Sequence, residues 1–498
     1  MDREREFDFD HESAINEQAL IQDLGLNILF EAMAGEDKFL ADVAKKAVLR
    51  GETNPEAILY RQDILLDALH NSTVVKSIYD IAVEAVEGEK RNNWLFSWKH
   101  PGLILKRSIH VLQTFAGELK RLRKIAEQHA GKFGSNGWSR LFEMLKSECN
   151  DEYLAALEKQ LTDLKFSDGL LISAELEEGN KGAKYIPRKP NEAAPSWMSR
   201  LFGPKVQSYT FQVHPRDESG SNALAELRDR GINAVANSLA QSADHMLGFF
   251  RSLRAEVAFY IGCTNLRDRL AQRGSPICWP SVLDAGQRAH VFTGLYDICL
   301  ALSLEQGVVG NEADTGKKQL IIITGANRGG KSTFLRSIGL AQLMMQCGMF
   351  VPAQAFCANV CESLFTHFKR EEDVAMKSGK LDEELARMSD IVSHLRPNAM
   401  VLFNESFAAT NEREGSEIAR QIVRALLESR IKLFFVTHLY EFAHSFYETR
   451  AELALFLRAE RGLDGSRSFK LIEGEPEQTS YGRDLYQKIF NSGQVDTV

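Results

Sequence analysis

The stretch that most constrains this chain runs from Gln319 to Gly348, QLIIITGANRGGKSTFLRSIGLAQLMMQCG. The apolar run Leu320 to Ile323 ends at Thr324 and gives way to Gly325-Ala326-Asn327-Arg328-Gly329-Gly330-Lys331-Ser332, after which apolar residues recur every three to four positions. That pattern predicts strand, glycine-rich loop and helix. Glycines let successive backbone N–H groups turn toward phosphate oxygens, and the new helix points its positive dipole end at the same anion. Lys331 is then expected to reach the β- and γ-phosphates and Ser332 to ligate Mg²⁺, with Gly325, Asn327, Gly329, Gly330 and Thr333 completing an ATP cradle. The alternative is a glycine turn in an ordinary βα unit.

The chain has 498 residues, 44% hydrophobic and 26% charged. It is long enough for two to four domains with substantial cores. No run approaches the ~18 uninterrupted apolar residues that a spanning helix needs. The start, MDREREFDFDHE, is too acidic for a signal or transit peptide, which leads us to expect a cytoplasmic protein without a membrane partner. Seven cysteines, of which Cys357 and Cys361 are the closest pair, match neither a zinc spacing nor a disulfide framework. A net charge of −8 gives no general attraction to polyanions, so any DNA binding must come from local patches.

Helical periodicity runs from Ser13 to about Val86 with a break at Gly51 to Pro55, where Asn54 before Pro55 predicts a helix start. It continues from about Leu103 to Leu164. Arg107, Lys120, Arg121, Arg123 and Lys124 make that part locally basic, read first as a solvated helix face and second as a phosphate-contacting one. Leu170 to Leu176 and Gln207 to Val213 read as strands. Five of the twelve prolines fall from Pro187 to Pro215, in a region that also holds Lys181, Lys184, Arg188, Lys189, Arg200, Lys205, Trp197 and Phe202. This basic excursion could touch nucleic acid or could be a surface insertion tethered by its aromatics. Helical signal resumes from Ser221 to about Leu270, and Gly274 to Pro280 reads as a junction.

Downstream of the loop, Ala399 to Phe403 is a buried-strand run ending in Asn404-Glu405. A carboxylate pair commonly ends such a strand in nucleoside triphosphatases, one member supporting Mg²⁺ and the other orienting the attacking water. Here Glu405 is the candidate base, and Asn404 can hold the metal only through a bound water; a helix cap after a core strand is the plainer reading. Ser416 to Arg430 is an amphipathic helix, and Ile431 to Val436 a third buried strand followed by Thr437-His438. His438 therefore lies at the carboxyl edge of the sheet, where ligands bind in open α/β folds, and is a candidate γ-phosphate sensor.

GANRGGKS, the VPA at Val351 to Ala353, the strand ending in Glu405 and the FVTH at Phe435 to His438 together resemble the ATPase domain of the MutS mismatch-repair family, over roughly Val308 to Tyr486. The helical region before it resembles that family's core and lever domain more loosely. The resemblance implies a multidomain chain: residues 1–274 a mostly α-helical core or lever-like domain with a β-containing basic insertion at about 168–216, and residues 275–498 an α/β P-loop ABC-type ATPase domain. It implies ATP and Mg²⁺ as cofactors, a homodimer with ATP sandwiched between subunits, and duplex or branched DNA as partner. A signature serine would then come from the partner in trans; Ser378-Gly379-Lys380 stands at that place, or is a solvated turn before the helix Leu381 to Leu395. Asn404 replaces the family's usual aspartate, and Tyr296-Asp297 stands where a His-Pro pair is common. No N-terminal Phe-x-Glu wedge is present in this sequence, so direct mismatch reading is not expected. A nucleotide-dependent dimeric scaffold with little turnover and a protein partner is the rival reading, favoured by Asn404.

Overall fold

The structure, a computed structural model of the chain, describes residues 16–93, 100–167, 169–179, 181–188, 209–304, 307–370, 379–462 and 466–477. Two compact units emerge. One comprises residues 73–134 and 138–257; the other comprises residues 1–72, 135–137 and 258–498. The helix Glu218–Gln272 contributes residues to both. No helix among the described residues is long and apolar enough to cross a membrane.

The first unit is helical. Pro101–His129 buries Leu112, Phe115, Leu119 and Leu122 on one stripe, and Phe115 packs on Phe250 of the long helix with ring centroids 5.1 Å apart. Phe133, Trp138 and Phe142 form a second aromatic cluster. Its one hairpin among the described residues pairs β1 (Leu171–Glu177) antiparallel with β2 (Lys181–Arg188). The second strand therefore lies earlier than the expected Gln207 to Val213, of which the described residues 209–213 form no strand. A turn through Gly179, at φ 79°, closes a local hairpin at little entropic cost, whereas a partner thirty residues on would require a long closed loop. Residues 189–208, with Trp197, Phe202 and most of the basic excursion, lie outside the described residues.

The second unit holds two sheets. Along the chain come β3 (Ser281–Leu283), β4 (His290–Leu295), β5 (Asn311–Asp314), β6 (Leu320–Thr324), β7 (Ala355–Asn359), β8 (Leu364–Phe368), β9 (Met400–Asn404), β10 (Lys432–Val436), β11 (Ala454–Arg461) and β12 (Arg467–Glu473). The smaller sheet has the order β3-β7-β4-β5 and the larger β12-β11-β6-β10-β9-β8. In the larger, β11, β6, β10, β9 and β8 run parallel and β12 closes the edge antiparallel. β6 and β10 are buried at every position, which explains why they read as continuous apolar runs rather than alternating ones. Leu320, Ile322, Val401, Phe403, Leu433 and Phe435 point to one face, where the helices Lys380–His394, Glu412–Glu428 and Tyr440–Arg450 cover them.

Residues 1–72 group with this sheet in one compact unit, whereas the boundary expected from the sequence lies at residue 274. Asp23 pairs with Arg370 at 2.6 Å beyond β8, and Glu52 N–H donates to Gln346 O at 2.8 Å. Helical periodicity identifies these segments as helices but carries no information on which sheet their apolar faces meet. All seven cysteines are free thiols, five of them buried.

Candidate nucleotide site

The register of the parallel strands builds the site. Val436 pairs with both Ile323 and Asn404, so the ends of β6, β9 and β10 come level at the carboxyl edge. The loop after β6 leaves no room for side chains: a Cβ on Gly325 would meet Ala459 N at 2.8 Å, and one on Gly329 would meet Ala459 Cβ at 2.7 Å. Gly330, at φ 88°, turns the chain into the helix Lys331–Gln346.

Lys331 is buried, and its ammonium donates to Gly325 O at 2.8 Å and Ala326 O at 3.0 Å. Burial pushes its pKa down to about 8, with the neighbouring Glu405 pulling it back up and Arg467 lowering it further. A buried lysine bonded to the carbonyls of a glycine-rich loop fits a phosphate chain, whose charge would hold it as the ammonium. Ser332 Oγ donates to Asn404 Oδ1 at 2.9 Å, bringing together the two oxygens expected around Mg²⁺. No group of three or more His, Cys, Asp or Glu among the described residues could hold a metal. Glu405 accepts a hydrogen bond from His438 Nε2 at 2.9 Å. That bond, aided by the charges of His438, Lys331 and Lys369, holds the Glu405 carboxyl below its ordinary pKa against the opposing effect of burial.

Two family descriptions match the sequence: the MutS2 N-terminal domain over residues 53–273 and MutS domain V over residues 321–493. The DNA mismatch repair protein MutS of Leptospira interrogans is 30% identical over 426 residues, 81% of this chain and 47% of that protein. Its counterpart in Clostridium kluyveri is 28% identical over 356 residues, 69% of this chain and 37% of that protein. The human MutS protein homolog 4 is 26% identical over 196 residues, 38% of this chain and 21% of that protein. The chain belongs to the MutS family. It spans less than half the length of these relatives.

Beside the loop this MutS-family chain has a cavity of about 390 Å³, walled by Tyr296, Asp297, Arg328, Thr333, Phe334 and Phe469 among others. Tyr296 and Asp297 are fixed in that wall. The Tyr296 hydroxyl donates to Pro276 O at 3.0 Å, and Asp297 accepts from Arg336 Nε at 2.8 Å and from Leu300 N–H at 3.0 Å. Burial raises the Asp297 pKa, and Arg336 opposes the rise.

The structure thus brings Lys331, Ser332, Asn404, Glu405 and His438 to one edge; Asn327 and Thr333 lie in the loop and the first turn of its helix. Ser378 lies outside the described residues. Sequence reasoning passed over Phe469, which approaches Gly330 from β12, and the buried polar residues His367, Glu384 and Ser406 behind Glu405. The one available signal was a histidine inside the apolar strand Leu364–Phe368.

Proposed function

We infer that the chain is a MutS-like, Mg²⁺-dependent ATPase that couples nucleotide state to DNA holding as a homodimer, in DNA repair or recombination. The observation that carries the reading is the paired geometry at one sheet edge: Ser332 with Asn404, and Glu405 with His438, around the buried Lys331. In this reading the loop amides and Lys331 hold the phosphates, and the base enters the 390 Å³ cavity beside Thr333 and Phe469. Ser332, and Asn404 through water, hold Mg²⁺, which supplies charge neutralisation when bound. Glu405 orients the attacking water, His438 steadies Glu405 and senses the γ-phosphate, and Ser378 completes the partner subunit's site.

For DNA, the helical unit distinguishes two sets of cations. Arg107, Lys120, Arg121 and Arg123 each pair with carboxylates of the same unit, which neutralises that face and supports the solvated reading. Lys106, Lys165 and Arg228 form no ion pair among the described residues and surround a groove of about 320 Å³ with His110, its lining side chains including no carboxylate. Salt-dependent binding to duplex, mismatched, branched and single-stranded DNA, with and without an ATP analogue, tests the coupling. Affinity should fall steeply with salt, and Lys106→Glu or Arg228→Glu should flatten the slope by about one or more, whereas Arg121→Glu should leave it unchanged. Binding indifferent to both salt and nucleotide contradicts the reading. It would favour the scaffold alternative, for which the uncharged Asn404 is the specific observation.

A further inference from the structure

The turn that carries Glu405 is held in a conformation its residues do not adopt freely. Glu405 and Phe407 both have left-handed backbones, at φ 56° and 63°. In non-glycine residues such a conformation persists where surrounding contacts over-determine it. Here they do. Glu405 N–H donates to Val436 O at 2.9 Å, Ser406 Oγ lies 2.6 Å from His367 O, and Phe407 N–H donates to Oε2 of Glu384 at 2.9 Å. A Cβ on Gly415 would run into Phe407 O, so the helix Glu412–Glu428 backs directly onto the same turn.

His367, fully buried at the end of β8, joins these contacts. Its Nε2 lies 3.0 Å from Glu384 O and its Nδ1 2.7 Å from Ser406 Oγ. A carbonyl can only accept, so Nε2 carries the proton, and the single hydroxyl hydrogen of Ser406 faces two acceptors, His367 O and Nδ1, serving one at a time. Burial, reinforced by Arg387 and Arg370, pushes the ring's pKa down to about 4 and keeps it neutral. Arg387, one turn along from Glu384, donates to Phe368 O at 3.1 Å. The helix Lys380–His394 is therefore tied to the end of β8 and to the Glu405 turn by the Glu384 carboxylate, the Glu384 carbonyl and Arg387. None of His367, Glu384 and Ser406 lines the cavity beside the loop.

We propose that His367, Glu384 and Ser406 form a positioning network that fixes the Glu405 carboxylate for hydrolysis and links it to the helix Lys380–His394, so that displacing this helix alters turnover without altering nucleotide affinity. The proposal rests on Glu405 as the residue that orients water. Its test compares single-turnover ATP hydrolysis and ATP binding in the full chain and in the variants Glu384→Ala, Ser406→Ala and Glu384→Gln. The two alanine variants should slow hydrolysis at least about tenfold, as expected when a reacting group is displaced by a fraction of an ångström, while the ATP Kd stays within about twofold. Glu384→Gln, whose amide oxygen still accepts from Phe407 N–H, should retain hydrolysis within about threefold. Amide hydrogen exchange over residues 405–409 supplies a readout independent of catalysis and should accelerate in Glu384→Ala. Wild-type exchange and wild-type hydrolysis in a cooperatively folding Glu384→Ala protein would overturn the network. Should Glu405→Gln hydrolyse ATP like the wild type, the functional reading fails instead, and unchanged exchange in Glu384→Ala still overturns the network by itself.

Discussion

Lys331 and Lys432 sit at opposite edges of the same sheet, and their difference separates a site from a core. Both are buried, and in both burial pushes the pKa down, to about 8 for Lys331 and about 7 for Lys432 from an ordinary 10.5. Both donate to oxygens of the chain itself: Lys331 to Gly325 O and Ala326 O, Lys432 to Arg288 O at 2.9 Å and Thr315 Oγ1 at 3.2 Å. Their surroundings diverge. Lys331 adjoins Glu405 electrostatically and begins the helix directly after the loop whose Arg328 and Gly330 line the 390 Å³ cavity. Lys432 adjoins a void of about 10 Å³, room for about one water, whose walls include Arg288, Lys318 and Arg430. A shifted pKa alone therefore marks burial; a shifted pKa beside open space and complementary groups marks chemistry.

The contrast is broken most directly by removing each cation. Lys331→Met should weaken ATP binding at least about a hundredfold, because it deletes charge-assisted hydrogen bonds to phosphate. Lys432→Met should leave the ATP Kd within about twofold, since it lies at the far edge of the sheet. Titration with a fluorescent nucleotide distinguishes them, and equal losses would erase the comparison. Next in size is the metal position. Asn404→Asp adds the charge that the amide lacks and should raise steady-state turnover about tenfold, while an unchanged rate would indicate that the amide is adapted to this metal site.

The smallest effect is on stability against pH. A lysine whose folded pKa is depressed leaves the unfolded chain holding more protons between the folded and unfolded values, so stability rises with pH across that window. For Lys432 the window opens near pH 7 and for Lys331 near pH 8, both extending to about 10.5. Between pH 7 and 8 Lys432 should contribute about 1 kcal/mol of added stability, and Lys432→Met should flatten this part of the curve. Saturating ATP, by holding Lys331 charged, should flatten only the part above pH 8. Denaturant unfolding across pH 6.5 to 9.5 measures both.

The same two edges show how far the sequence could be read. The strand Leu320–Thr324, its loop and the helix Lys331–Gln346 were legible because their chemistry is local: an apolar run, glycines at fixed spacing and a helical period. The strands ending in Asn404 and Val436 were legible for the same reason, and parallel pairing then brings Glu405 and His438 within a hydrogen bond. Lys432 was not legible, because a lysine at the start of a strand usually reaches solvent. Nor was the His367 network. Its bonds span 17 to 39 residues, and Glu384 looks like any acid on an amphipathic helix until the fold places it against Phe407 N–H. The docking of the first helices on the sheet was hidden likewise, since an apolar stripe does not name its partner.

Hydrolysis at this sheet edge depends above all on Glu405. In single-turnover experiments with Mg²⁺ and limiting ATP, Glu405→Gln should bind ATP with an affinity within about threefold of the wild type and hydrolyse it at least about a hundredfold more slowly. Hydrolysis at the wild-type rate by the folded, ATP-bound variant would contradict the assignment of this sheet edge as the hydrolytic site.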